Sequence, residues 1–366
     1  MKPSLPRRAL FALDSPLAAG RQISHTSLPR PATRHASSSS QSLSQSASHP
    51  PKRRWISLVA VTVAAGGIGA YFRSEQSRPS TLDPLSFTNY HLVSKEPVSS
   101  TGSIFTLKPA KPDGNGYRVY EEAWRMGVWS VLFKQPQLQI GRDYTPLLPT
   151  GDDDDSLRFF IRRDPYGEVS RYLHGLSLGS TVELRGPQLE YRIPSSTQEV
   201  LFIAGGTGIA PALQASYSLL RRGHNNPRIR ILWANRRRED CLGGVNDTVA
   251  DRKPWFSGIF TRTAPDRPKD PPSPVVRELE SLRSQYPGQI TVDYFVDEEN
   301  TFIGKKDIAD FAPIPAGKRK LILVSGPEGF ISYMAGPKVW AQGAELQGPL
   351  GGIIQQLDLK CSVWKL

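Results

Sequence analysis

The stretch Leu201-Phe-Ile-Ala-Gly-Gly-Thr-Gly-Ile-Ala-Pro211 is an apolar run that breaks into Gly205, Gly206, Thr207 and Gly208 and then into a helical sequence with Pro211 in its first turn. Glycines there let the backbone come close to a ligand, and the free amides of a helix N-terminus attract phosphate. A dinucleotide phosphate site follows, although the run is not the GxGxxG fingerprint and glycines at a strand-to-helix turn also serve packing alone. The helix is well punctuated, with Arg221 and Arg222 in its last turn and Gly223 just beyond. Downstream, apolar runs at Ile229–Ala234, Ile290–Val296 and Leu321–Ser325 alternate with helical patterns from about Val275 and near Gly329–Gln342, after a first strand at Val200–Ala204. This alternation predicts βαβ units and a parallel-sheet nucleotide-binding domain over 196–366.

Upstream the period changes. Short β-like runs at Phe87–Val93, Ser103–Leu107, Val128–Phe133, Leu157–Arg162 and Thr181–Arg185, separated by Gly and Pro, predict a small antiparallel barrel over 83–195. Gly141-Arg142-Asp-Tyr144-Thr145-Pro146 offers an Arg for a pyrophosphate, a Tyr to cover a ring system and a Thr hydroxyl for a heterocycle nitrogen, and it also reads as an ordinary edge strand. Tyr166-Gly167-Glu168-Val169-Ser170 offers amides and a hydroxyl to phosphate. Leu323-Val-Ser325-Gly326-Pro327 ends a strand at the carboxyl edge of the parallel sheet, where ligands bind in open α/β sheets. The segment Asn235-Arg236-Arg237-Arg238-Glu239-Asp240 follows the second parallel strand, where an Arg can accept the 2′-phosphate of NADP; the alternative there is a solvated basic turn.

In this order and spacing the segments resemble the ferredoxin-NADP reductase superfamily, and most closely its cytochrome b5 reductase branch, over roughly residues 83–366. The resemblance implies a flavin barrel followed by a nicotinamide-nucleotide domain, with FAD and NADH or NADPH as cofactors. It implies that Arg142 meets the FAD pyrophosphate, Tyr144 lies against the isoalloxazine and Thr145 bonds its N5 region. It implies that Gly167, Val169 and Ser170 hold the pyrophosphate, and that Gly205, Gly206, Thr207, Gly208, Ser325, Gly326 and Pro327 seat the nicotinamide nucleotide. Thr145 and Ser325 are then the residues nearest the chemistry. Two departures stand out. Ser325 occupies the place of the superfamily's Cys beside the site of hydride transfer, and the chain ends Val363-Trp364-Lys365-Leu366 in place of the usual aromatic terminus. Trp364 either substitutes for that aromatic or packs in the core.

Of the formal +12 (46 Lys+Arg against 34 Asp+Glu), residues 1–54 carry nine bases and the single acid Asp14, which leaves +4 for the rest. A nucleic-acid binder carries its basic patch on the folded domain, so nucleic acid is not an expected partner. Basic charge, Ser runs and the lack of a long apolar core make 1–54 a mitochondrial transit-like leader, or else a basic tail with no targeting role. Trp55–Phe72 is an uncharged stretch of 18 residues, about 27 Å long as a helix and just able to span a bilayer. Lys52, Arg53 and Arg54 outnumber Arg73 as flanking charge, which orients the N-terminus to the matrix and everything after the linker 73–82 to the intermembrane space of the inner mitochondrial membrane.

With that architecture and the Ser-Gly-Pro variation, the chain looks like the fungal mitochondrial cytochrome c import factor family. The resemblance implies electron transfer to haem, with apocytochrome c or haem lyase as partners. An ordinary cytochrome b5 reductase paralogue and a non-catalytic, flavin-binding assembly factor remain as alternatives. No metal site is expected: Cys241 and Cys361 have neither disulfide-framework nor zinc spacing and read as buried thiols. His91, His174 and His224 read as surface residues, and His25, His35 and His49 fall in the leader. The acidic run Asp152–Asp155 and the five prolines of Thr263–Pro274 read as surface loops.

Overall fold

In the computed structural model of the chain the described residues are 81–111, 116–151, 155–223, 226–248, 271–311, 319–357, 359 and 361–366. The leader, the membrane span expected at 55–72, the linker to residue 80, His224, residues 152–154 of the acidic run and residues 263–270 of the proline-rich segment lie outside them. Among the described residues no helix is long and apolar enough to cross a membrane.

The first half is one antiparallel sheet. Strands β1 (Thr88–Pro97), β2 (Gly102–Pro109), β3 (Gly127–Gln135), β4 (Ile140–Tyr144), β5 (Leu157–Arg162) and β6 (Thr181–Arg192) lie in the order β4-β3-β6-β1-β2-β5. The sheet curls until the chain beyond β4 meets β5, through a bridge from Pro146 to Phe159 and a bond from Leu147 N to Arg158 O at 2.7 Å. Period-two patterning puts Tyr90, Leu92, Val131, Phe133, Phe159 and Ile161 inside the curl. Two helices accompany it. Helix α1 (Gly116–Met126) buries Tyr120, Ala123 and Trp124 on one face, where Trp124 meets Trp129 edge-on at 5.2 Å. Helix α2 is Glu168–Gly175.

The second half is a parallel sheet of β7 (Thr197–Gly205), β8 (Arg228–Asn235), β9 (Ile290–Val296), β10 (Arg319–Ser325) and β13 (Ser362–Lys365), ordered β13-β10-β7-β8-β9. Strands β7 and β10 are buried on both faces over Val200–Gly205 and Leu321–Ser325, which is why they read as continuous apolar runs. Val200, Phe202 and Ala204 face α3 (Ile209–Arg221) and α4 (Pro274–Gln285), while Leu201 and Ile203 face Ile308 of α5 (Lys305–Ala309) and the helices α6 (Glu328–Ala335) and α7 (Gly352–Gln355). The helix expected near Gly329–Gln342 therefore ends early. Gly336-Pro337 stops it, and the chain continues as a hairpin of β11 (Val339–Ala341) and β12 (Ala344–Leu346).

Both outer strands of this sheet carry side-chain partners on their free edges. Along β9, Asn246 Oδ1 accepts from Tyr294 N (2.7 Å) and Asp247 Oδ2 from Val292 N (2.9 Å). The buried Asp293 holds that segment in turn, accepting from Thr248 N and Oγ1 (3.1 and 2.7 Å) and pairing with Arg230 at 3.0 Å. On β13, Gln347 brackets Lys365, accepting from its N–H and donating to its carbonyl, each at 2.8 Å.

The two sheets are tied by buried polar contacts. Gln214 of α3, fully buried, accepts from Trp129 N (2.9 Å) and donates to Pro146 O (3.1 Å). Arg158 and Arg162 of β5 pair with Glu278 (2.8 Å) and Asp240 (2.5 Å) of the second half. Ser99 Oγ also donates to Asp240, at 2.7 Å. Burial raises the Glu278 carboxyl above its ordinary range against the pull of Arg158.

Cys241 is buried, its thiol pushed up to about 11 chiefly by burial, whereas Cys361 is only half-buried, which corrects its expected burial. His174 is likewise not a plain surface residue. It is half-buried against Phe105, its Nε2 lies 3.1 Å from Ile161 O, and burial lowers its pKa. Trp364 packs against Tyr191 at 4.9 Å and borders the core.

Candidate functional site

The glycine-rich turn leaves β7 as one turn of 3-10 helix, Gly206–Gly208, and runs directly into α3. Gly206 has φ +55, a conformation that side chains resist, and its carbonyl accepts from Trp233 Nε1 at 2.9 Å. Gly208 is a matter of space. A Cβ there would lie 2.4 Å from Ser325 O and 2.6 Å from Ser325 C, so the ends of β7 and β10 approach each other only through a bare backbone. The structure thus brings Gly205–Gly208 together with Ser325–Gly326, residues more than a hundred positions apart in the chain.

At this carboxyl edge opens a cleft of about 540 Å³. Gly205, Gly206 and Pro327 line it, with Phe330, Tyr333 and Met334 from α6, Phe302 and Ile303 from the segment after β9, and Ala234, Asn235 and Arg236 at the end of β8. Arg162, the last residue of β5, brings the curled sheet to the same wall. Phe302 and Tyr333 are largely exposed at the mouth. Ser325 is buried, and Thr207 is half-buried outside the lining.

The other expected residues form a second cluster on the curled sheet. Arg142, Tyr144 and Thr145 lie on and just after β4, the edge strand, and α2 packs beside it. Tyr144 stacks edge-on against Phe133 at 5.1 Å, and burial pushes its phenol up to about 12, so it stays a neutral donor at any physiological pH. Arg142 is exposed. Its guanidinium donates to Gly141 O at 2.9 Å and pairs with no carboxylate among the described residues. Gly167 is the N-cap of α2, and no side chain caps that end. Val169 and Ser170 are buried in its first turn. The Ser170 hydroxyl is engaged within the loop, accepting from Asp164 N and donating to Gly167 O, both at 3.1 Å, and the Gly167 amide donates to Asp164 O at 3.2 Å, which leaves the amides after Gly167 for an anion. An exposed guanidinium on the strand that α2 packs against, together with an uncapped helix N-terminus, suits a phosphate.

The three arginines after β8 separate. Arg237 pairs with Glu239 (3.3 Å) and Arg238 with Glu299, whereas Arg236 is exposed on the cleft together with Asp297. Residue reasoning missed Arg162, Asn235, Phe302 and Tyr333 as cleft residues. Asn235 opens the basic segment after the second parallel strand, Arg162 ends an expected strand and Tyr333 lies in the helix expected near Gly329–Gln342, but their place on the cleft, like that of Phe302, comes from tertiary contacts. Among the described residues no cluster of His, Cys, Asp and Glu is able to hold a metal ion.

Residues 89–193 match the oxidoreductase FAD-binding domain family. The chain is 25% identical over 298 residues to NADH-cytochrome b5 reductase 2-A of Vanderwaltozyma polyspora, covering 79% of this chain and 86% of that protein. It is 28% identical over 160 residues to the cytochrome c mitochondrial import factor CYC2 of Saccharomyces cerevisiae, a match to 38% of this chain and 42% of the factor. Among solved structures it is similar to flavohemoglobin from Malassezia yamatoensis with bound FAD and heme, with a TM-score of 0.50 and 15% identity over 77% of this chain and 60% of that one. At that identity the likeness is one of fold.

Proposed function

We propose that this chain, which carries an oxidoreductase FAD-binding domain on a ferredoxin-NADP reductase-like fold, is an FAD-dependent NADH oxidoreductase of the cytochrome b5 reductase type that passes electrons to haem or a haem protein. The observation that carries the reading is the meeting of the Gly205–Gly208 turn with Ser325–Gly326 at a cleft whose wall includes Arg162 from the flavin-side sheet. When bound, FAD supplies two-electron uptake from NADH and one-electron release, which no side chain here provides.

The chain's own residues bind and orient. Arg142 and the amides at the start of α2 hold the pyrophosphate, Tyr144 presents its neutral phenol and ring, and Thr145 offers a hydroxyl beside them. Gly205–Gly208 take the phosphates of NADH, and Ser325, Gly326 and Pro327 set the reactive end against the curled sheet. Arg236 and Asp297 share the cleft, so NADH and NADPH are to be compared directly.

Replacing Arg142 with Ala should strip FAD from the purified protein, read as loss of the visible flavin band. Full flavin content in the variant would sink this assignment. An anaerobic spectrum of the unmodified protein should show that band bleached by NADH. A second reading is favoured by Ser325 in the place of the superfamily Cys: a flavin-bearing assembly factor for cytochrome c whose nucleotide site is idle. It predicts a flavin that NADH leaves oxidised.

The cellular part of the proposal rests on the sequence and on the relatives. The span at 55–72 anchors the protein in the inner mitochondrial membrane with its domains toward the intermembrane space, where apocytochrome c and haem lyase are the partners in view. Shielding of the domains from protease in mitoplasts would refute that orientation.

A further inference from the structure

Helix α3 starts at the glycine-rich turn and ties itself to the curled sheet less than two turns later. Gly208, the residue before it, abuts Ser325. Gln214 lies about 9 Å further along the axis, at 1.5 Å per residue. Its side chain is fully buried and both of its ends are used: Oε1 accepts from Trp129 N at 2.9 Å, and Nε2 donates to Pro146 O at 3.1 Å. The register of β3 against β6 breaks between Val128 and Trp129, where that amide is taken up. Pro146 directly follows Tyr144 and Thr145 in the chain. A carboxamide carries a donor and an acceptor on one rigid plane, so bonding both fixes orientation as well as distance. The far end of the helix is tied elsewhere: Arg222, just past α3, donates to Ile193 O at 2.9 Å and to Arg125 O at 3.0 Å.

We propose that Gln214 is a positioning residue for flavin reduction: through α3 it sets the distance between the Gly205–Gly208 and Ser325–Gly326 cluster and the Tyr144–Thr145–Pro146 segment. The step it serves is transfer of a hydride from NADH, which is oxidised to NAD+, to the flavin, which is reduced by two electrons. Such a step responds to displacements of about 1 Å. Gln214 is sealed from solvent, so its effect passes through the two backbone groups it holds. Without it the halves stay joined, because Arg158 and Arg162 still pair with Glu278 and Asp240. What is lost is the direct bond from α3 to the chain after β4. The inference rests on the reading of the two clusters as nucleotide and flavin sites given above.

The test uses the full FAD-loaded protein in stopped flow and the flavin-free protein in hydrogen exchange. Gln214→Met, similar in volume but without the carboxamide, should keep its flavin and lose roughly tenfold in the limiting rate of reduction by NADH, with the half-saturating NADH concentration changed less than about twofold. Gln214→Ala, which leaves room for water at Trp129 N and Pro146 O, should show the same split. Arg222→Met removes the tie at the other end of the helix and should lower the melting temperature without changing the limiting rate. In the flavin-free protein the amides of Trp129 and Leu147 should exchange faster in both Gln214 variants and not in Arg222→Met. A limiting rate within about twofold of the unmodified protein in the Gln214 variants, or an equal loss in Arg222→Met, would overturn the inference and leave the flavin and nucleotide sites standing. Failure of NADH to reduce the unmodified protein would bring down the underlying reading, and the inference with it.

Discussion

Gly208→Ala should keep its flavin and yet lose about two orders of magnitude in the rate at which NADH reduces it, because a displacement of about 1 Å at a reacting geometry has that effect. The new methyl group would meet Ser325 O, Ser325 C and Gly326 N at 2.4, 2.6 and 2.9 Å, and all three belong to backbone that no rotamer change can move. The ends of β7 and β10 must part, and with them the two segments proposed to seat the nucleotide. The FAD-binding family match lies on the other sheet, residues 89–193, so the flavin band should report that the protein is otherwise intact. Gly205→Ala is the control. Its methyl group would meet the Phe330 ring at 2.7–3.1 Å, a side chain and not backbone, and the loss should be smaller. Stopped-flow reduction of both variants decides the matter, and a Gly208→Ala variant reduced at the unmodified rate would remove these strand ends from the nucleotide site.

Asp293→Ala should lower stability by about 3–5 kcal/mol, the usual result of removing one partner of a buried ion pair. Asp293 is 2% exposed at its side chain and Arg230 16%, so the guanidinium left behind keeps only the bond from Nη1 to Asp307 O at 3.1 Å. Thr248 loses both of its bonds at the same stroke. Asp293→Asn keeps the shape and an acceptor for Thr248 and should fall between the two. Urea unfolding followed by far-UV circular dichroism measures the difference, and a loss below about 1 kcal/mol for the Ala variant would show the pair to be dispensable.

The architecture was largely legible because it is written in local periodicity. Leu157–Arg162 and Ile290–Val296 were read to the residue, since each is a short apolar run bounded by chain breakers. Helix α1 went unread although Tyr120, Ala123 and Trp124 already had helical spacing; its short apolar face lies between two strands in a stretch otherwise taken as connecting chain. The hairpin after α6 was absorbed into a helix, although Gly336-Pro337 marked the stop. The candidate site divides in the same way. Gly205–Gly208 and Ser325–Pro327 announce themselves because glycine at a strand end has few reasons to be there. Arg162 does not, since its place on the cleft depends on pairing with Asp240, 78 residues later. Asn235 stood in view as the start of a basic turn, but its burial comes from sheet register, which no local pattern encodes.

The side chains along the outer edges of the parallel sheet bear on how the protein behaves at high concentration. A sheet edge that exposes unpaired N–H and C=O groups is a template for the strands of other copies, and the growth of such pairings ends in fibrous aggregates. Here the outward amides of Val292 and Tyr294 already donate to Asp247 and Asn246, and the amide and carbonyl of Lys365 are held by Gln347. An incoming strand would have to displace bonds already made before it formed its own. Three polar side chains at the two margins of the sheet thus close sheet extension as a route to self-association at those positions.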